Sequence, residues 1–339
     1  MNLATLLNVK STKHLTKTLT NYKFTMKKIL LSAAALVMLF ACQNETTENA
    51  PLAEAVSKRG CASQEVLAAQ MKADPTLALR MNKIEAFTEK AMLSGRLVNP
   101  KVEIPVVGNV LYRTTAENIS LAQIQSQIDV LNKDFNAANS DYNSVPAAFS
   151  GVKANVGITF VLQSVKRRST TITSWSTNDA MKKSTYGIVP TTPTTVLNMW
   201  SCNLGGGILG YAQFPGGASS TDGVVMDNNA FGTTGTVTAP FNLGRTATHE
   251  VGHWMNLRHI WGDATCGTDY VSDTPTHNTA NYGVPAYPHY STCTGTPVEM
   301  TMNYMDYTDD RGMYMFSNGQ KSSMAALFVS GGARASFGI

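Results

Sequence analysis

His249, Glu250, His253 and His259 form the pattern H-E-x-x-H-x-x-N-x-x-H, and three of the chain's six histidines fall inside these eleven residues. On an α-helix four residues turn through about 400°, so His249 and His253 share one face, roughly 6 Å apart along the axis. Two imidazoles so placed reach one zinc ion at about 2.0–2.1 Å. Glu250 lies off that face, where a carboxylate can lean over a metal-bound water and act as general base. His259 would stand about 120° away on a continuing helix, so the helix must stop and the chain turn back. Asn256 stands where that break is needed, and Asn tolerates the left-handed conformation better than most residues. Three protein ligands leave the fourth zinc position open, the arrangement of a catalytic site, in which zinc lowers the pKa of water toward 7. A structural zinc site would need a fourth protein ligand at a fixed spacing. Asp263 is the near candidate, and it serves equally well to brace the loop.

With its continuation His259-Ile260-Trp261-Gly262-Asp263, the motif resembles the pappalysin (cytophagalysin) family of metzincin metallopeptidases. The resemblance is specific at 249–263 and 303–310 and looser elsewhere between about 55 and 335. It implies a zincin-like α+β fold: a twisted, mixed five-stranded sheet with a backing helix, an active-site helix and an irregular C-terminal subdomain. It also implies a zinc endopeptidase acting on a protein or peptide substrate and made as a latent zymogen. Met300 to Asp310 resembles the family's Met-turn, with Met305 as a packing floor beneath the zinc ligands and Tyr307 placing its hydroxyl to stabilise an oxyanion. Cys61, after Arg59, resembles the family's zymogen switch, whose thiolate takes the open zinc position. Ala62 follows where Gly is common, and a disulfide half or a plain buried Cys is the other reading. In metzincins an edge strand pairs antiparallel with extended substrate, which implies substrate binding at Gly210, Tyr211 and Ala212, although a simple hairpin accounts equally for the surrounding glycines.

Asp269, Asp273 and Thr274 offer oxygen ligands at short spacing suited to Ca²⁺, in a region where family members bind structural calcium; a solvated acidic loop is the alternative. Arg311 stands six residues past Met305, where family members that cut before basic residues carry an acid. There it would line the S1′ pocket, disfavour Arg or Lys at P1′ and favour Asp, Glu or a polar group, unless it points to solvent or pairs with Asp309 or Asp310.

The elements that must position these residues are partly readable. Residues 51 to 96 read as helical. Val102–Val107 and Val110–Tyr112 read as a first strand interrupted by Gly108-Asn109. After Thr115, Leu121, Ile124, Ile128, Leu131 and Phe135 recur at spacings of three and four, one apolar helical stripe. Gly157–Leu162, Val196–Trp200 and Gly223–Met226 read as strands, the Ser/Thr-rich stretch 166–195 as surface loops, and Gly319 onward as a C-terminal helix. Cys266 and Cys293 are 27 residues apart in an irregular segment that a disulfide would staple. Cys202 is left as a small buried apolar residue.

Met26-Lys27-Lys28 before the 13-residue apolar stretch Ile29–Ala41 reads as a secretory signal, too short to span a bilayer. Its end, Leu39-Phe40-Ala41-Cys42, resembles a bacterial lipobox, which implies lipidation of Cys42. The expected organisation is an upstream mis-assigned extension over 1–25, a lipoprotein signal over 26–41, a tether and inhibitory prosegment over 42–96, and a catalytic domain over 97–339. The chain's +4 charge belongs to the targeting segment: without its six Lys, 21 basic residues face 23 acidic ones, and no basic patch argues for nucleic acid. A monomer is expected, exported and either held at an outer membrane or cell surface only through its lipid or released as a secreted mature enzyme. A non-catalytic surface lipoprotein that binds a host or matrix protein is the competing function, against which Glu250 argues, since a binder has no use for the base.

Overall fold

The computed structural model describes residues 58–93 and 102–337. The expected extension, the signal, Cys42, the tether up to residue 57 and the prosegment boundary at 96/97 lie outside the described residues. Among the described residues, no helix is long and apolar enough to cross a membrane.

Two helices come first, α1 (Ser63–Ala73) and α2 (Thr76–Leu93), followed by β1 (Val102–Tyr112), α3 (Leu121–Phe135) and β2 (Ile158–Ser169). Then come β3 (Leu197–Cys202), β4 (Gly210–Ala212), β5 (Val224–Asp227), α4 (Arg245–Trp254) and α5 (Asn318–Ala326). The five strands form one mixed sheet in the order β2-β1-β3-β5-β4, parallel except for β4, which runs antiparallel to β5 and forms an edge. The fold is thus the expected α+β arrangement.

β1 runs unbroken through Gly108-Asn109. Asn109 is buried and bonds Asn198 of β3, so neighbouring strands override the turn propensity of the dipeptide. The pairing of β1 with β2 slips once, beside Val106/Val107, so that β2 carries one extra residue, a bulge. β2 also runs on to Ser169, into the stretch expected to be loop. There Lys166, Arg167 and Arg168 place charge on the outer strand, which discourages pairing with another chain.

Backing helix α3 starts at Ser120, whose hydroxyl accepts the backbone N–H of Gln123, and not at Thr115. Ile124, Ile128, Leu131 and Phe135 are buried against the sheet and α4, while Leu121, in the first turn, is exposed. Each buried side chain of this stripe contributes roughly 1.5–3 kcal/mol. Polar groups set the seam between α3 and α4. Asp134 accepts from Thr248 at 2.7 Å and pairs with Arg245 at 3.1 Å. Arg245 reaches on to Asp141 and to the Met313 carbonyl. Burial pushes the Asp134 carboxyl up to about 6 against the pull of Arg245.

The end of α4 is held from the C-terminal segment. The Arg334 guanidinium stacks 3.6 Å from the Trp254 ring centroid, donates to the Trp254 carbonyl and forms a bidentate pair with Asp222. A cation at a helix C-terminus also meets the negative end of the helix dipole. The Cys266–Cys293 disulfide closes the irregular lower subdomain. Cys202 is free and packs with Trp200 and Leu204 on the other face of the sheet.

Candidate active site

The helix carrying the motif ends at Trp254, and Asn256 takes φ +70°, the left-handed conformation that turns the chain back toward His259. His249, His253 and His259 are all buried. Their Nε2 atoms converge, His253 lying 3.1 Å from His249 and 3.0 Å from His259. Each Nδ1 has its own acceptor: the Tyr304 carbonyl at 2.7 Å, the Leu257 carbonyl at 2.7 Å and the Asp263 carboxylate at 2.5 Å, respectively. An acceptor at Nδ1 puts the proton there and leaves a lone pair at Nε2. Burial also holds His249 and His253 well below the usual histidine range, so they are neutral. Three lone pairs facing one another this closely repel unless a cation lies between them, and imidazole nitrogens suit zinc. The residues therefore fit zinc. Asp263 braces His259 from behind, while the Trp261 ring stacks on His259 with centroids 4.3 Å apart. Met305 is fully buried beneath the helix, where Gly252 makes room: a Cβ at that glycine would lie 2.5 Å from the Met305 sulfur.

The fourth direction is taken by Cys61, whose sulfur and the three imidazoles offer ligand atoms all within 4.8 Å of one another. Among the described residues this is the one such grouping of His, Cys, Asp or Glu. Burial and the Glu250 carboxylate push the Cys61 thiol up, and a cation held among the imidazoles would make it a thiolate. Glu250 Oε2 accepts from the Ser63 hydroxyl at 2.8 Å and lies 3.5 Å from Cys61 Sγ. Burial raises the Glu250 carboxyl to about 7. The Tyr307 hydroxyl donates to the Cys61 carbonyl at 3.2 Å, and burial holds that phenol protonated.

The segment carrying Cys61 lies along β4. The Ala62 N–H donates to the Gly210 carbonyl at 3.1 Å, the Leu209 N–H to the Gly60 carbonyl at 2.7 Å and the Ala212 N–H to the Ser63 hydroxyl at 2.8 Å. This bridge is parallel, opposite to the antiparallel polarity of substrate in metzincins. Gly210 and Ala212 face the cleft with their backbones. A side chain at Gly210 would meet Glu250, its Cβ lying 2.9 Å from Glu250 Cγ. Tyr211 differs from expectation. It pairs inward with Val225, and its side chain is buried on the far face of the sheet, where the hydroxyl donates to Asp179. Lys182, also fully buried, pairs with the same Asp179 and lies beside the Tyr211 and Trp200 rings. That cluster sits in the stretch expected to be surface loop, and it anchors β4 from behind.

Arg59 enters a buried pocket beside the site. Its guanidinium reaches Asp310 at 2.6 Å, the Thr246 hydroxyl at 2.9 Å and the Thr308 carbonyl at 3.1 Å, and it lies 4.9 Å from the Phe241 ring centroid. Arg311 does not line this pocket. It is exposed, because the short turn Asp310–Gly312 sends Asp310 inward and Arg311 out to solvent, and the expected repulsion of basic residues has no source there. Ser63, Phe241 and Thr246 were not singled out from the sequence, and Asp310 was read only as the end of the Met-turn segment and a possible partner of Arg311. In the acidic loop, Thr274 bonds both Asp269 oxygens at 3.0 and 2.9 Å. Asp273 turns instead to α5, accepting from the Ser317 hydroxyl and the Gly319 N–H.

The fold and the imidazole set define a metzincin-like zinc peptidase, here with its cleft filled from within its own chain. The chain belongs to the peptidase M43 family, described as pregnancy-associated plasma protein-A, whose model matches residues 201–328. Extracellular metalloprotease 1 of Coccidioides posadasii is 33% identical over 260 residues, 73% of this chain and 83% of that protein. The solved structure of Tannerella forsythia mature mirolysin in complex with a cleaved peptide matches with TM-score 0.68 and 43% identity, over 70% of this chain and 96% of its own. A Tannerella forsythia promirolysin mutant matches with TM-score 0.76 and 38% identity, over 83% and 97% of the two chains. This protein is therefore a zinc endopeptidase made as a zymogen.

Proposed function

We propose that His249, His253 and His259 hold the zinc, that Glu250 is the general base, and that residues up to about 96 form a prosegment whose Cys61 closes the site. The carrying observation is the convergence of three Nε2 lone pairs and one thiol beside a buried carboxylate. Zinc held there supplies Lewis-acid polarisation of the scissile carbonyl and a water nucleophile at neutral pH. Glu250 takes the proton of that water and delivers it to the leaving amine. Tyr307, freed from the Cys61 carbonyl, donates its hydroxyl to the oxyanion. Gly210 and Ala212 align an extended substrate by strand pairing.

Reversed polarity is what makes the prosegment an inhibitor and not a substrate. Residues before Cys61 then occupy the primed side of the cleft, so Arg59 fills the place of a P1′ side chain. The acid at the pocket floor is Asp310, and the pocket takes a basic P1′ residue. Latency is tested directly by Cys61→Ala in the full-length chain. This variant is expected to hydrolyse a reporter peptide, or itself, without an activating cleavage. A variant as silent as its parent would mean that steric cover alone maintains latency.

Two finer readings complete the proposal. Asp269 and Thr274 suit a calcium ion, since burial raises this carboxyl to about 6 and a bound cation would relieve that burial. At a hundredfold excess over Kd, Ca²⁺ is expected to add about 2.7 kcal/mol of stability, a Tm rise of several degrees that Mg²⁺ does not reproduce and Asp269→Asn abolishes. An unchanged melting curve removes calcium from the account. The similarity to extracellular enzymes supports export, and lipidation at Cys42 would hold the product at a membrane surface. Labelled palmitate should enter the parent chain and not Cys42→Ala; equal labelling of both excludes this anchor.

A further inference from the structure

The mechanism leaves unused a buried polar cluster in the lower subdomain. Asn281 donates through its backbone to Asp306 at 2.9 Å and through its amide to Glu299 at 2.8 Å and Asp306 at 2.9 Å. His277 Nε2 accepts the Met300 N–H at 2.9 Å, which leaves the proton on Nδ1, 3.5 Å from Asp306. His277, Glu299 and Asp306 are at most 1% exposed. Such a satisfied buried network fixes the backbone it holds. Here it fixes the start of the loop 281–284, whose far side is tied down by the Asp309 N–H donating to the Gly283 carbonyl at 2.8 Å.

The residue this loop presents is Tyr282. The residue is 39% exposed; its ring stands at the cleft with its centroid 5.9 Å from that of Tyr307, and carries the Lys58 ammonium 5.0 Å from its centroid. Lys58 directly precedes Arg59. Successive side chains of an extended segment point to opposite sides, so Arg59 goes into the pocket and Lys58 out to the rim. Running the chain in the opposite direction exchanges N–H and C=O positions but keeps this alternation. We propose that Tyr282 is the floor of an S2′ subsite that selects a basic residue, so that the enzyme prefers substrates with two consecutive basic residues at P1′ and P2′. The selecting force is the attraction of a cation to an aromatic face. The proposal rests on the P1′ reading above.

The test uses enzyme activated from the full-length zymogen and a set of peptides differing only at P1′ and P2′. Among peptides cleaved before Arg, Lys or Arg at P2′ is expected to raise kcat/KM about two- to fivefold over Ala, and Glu or Phe to give no such gain. Tyr282→Trp should keep the ratio of Arg-Lys to Arg-Ala peptides, and Tyr282→Leu should bring it to about one. Cleavage before Arg with no preference at P2′ in the parent enzyme overturns the subsite while leaving the P1′ reading standing, and needs no variant to fold. A parent preference that survives unchanged in Tyr282→Leu assigns it elsewhere and overturns the role of Tyr282. Failure to cleave before Arg at all overturns the P1′ reading and this proposal with it.

Discussion

Glu250→Ala is expected to retain zinc and the fold while losing at least ~10²-fold in turnover, the range over which a positioned general base acts. The carboxylate directly faces Cys61 and Ser63, beside the converging imidazoles where the metal and substrate are proposed to meet. The imidazoles do not depend on it, since each takes its orientation from Tyr304, Leu257 or Asp263. Removing Glu250 therefore takes away proton transfer without disturbing the metal's holders. Zinc content by elemental analysis, melting temperature and turnover on one peptide separate the possibilities. Parent-like turnover refutes the mechanism, whereas loss of zinc together with turnover makes Glu250 a structural support of the site.

The same residues show what could be read before any coordinates. The three converging imidazoles, the break at Asn256 and the proposed general base lie within eleven residues, and helical geometry converts their spacing directly into a cluster. The backing helix was legible for a similar reason, its period being local. The buried pocket that takes Arg59 was not. Arg59 meets Thr246 and Asp310 across separations of 187 and 251 residues, which no local pattern encodes. Counting from Met305 led to Arg311, one residue past the buried Asp310 that holds Arg59, because a count gives distance along the chain and not the direction of a side chain in a turn. Lys182 was missed for another reason. A Ser/Thr-rich stretch with a lysine reads as solvated, yet Asp179 and two aromatic faces compensate that charge inside the protein. Gly108-Asn109 suggested a turn, and the strands on either side decided otherwise.

Asp310→Asn is expected to reduce kcat/KM for cleavage before Arg by about 10²–10⁴-fold, because removing one partner of a buried pair leaves the other charge uncompensated at a cost of about 3–5 kcal/mol. Asp310 is fully buried, so water cannot take over the pairing. Its two oxygens are also both committed: one holds Arg59, the other accepts the N–H groups of Leu243 and Arg245 at the start of α4. Asn keeps the shape and can still accept those N–H groups, so it removes the charge while sparing the helix start. The effect should thus be selective. Peptides with a neutral P1′ residue are expected to lose far less, and the ratio of rates before Arg and before a neutral residue reports the pocket independently of folding. The zymogen carries the same pair internally, with Arg59 in place of substrate, so the substitution should also loosen the prosegment and speed activation of the full-length chain. A digest of a peptide library by parent and variant decides between the two acids of the turn. If cleavage before Arg survives Asp310→Asn and disappears in Asp309→Asn, the pocket acid is Asp309, and Arg59 marks a latch contact and not the P1′ site.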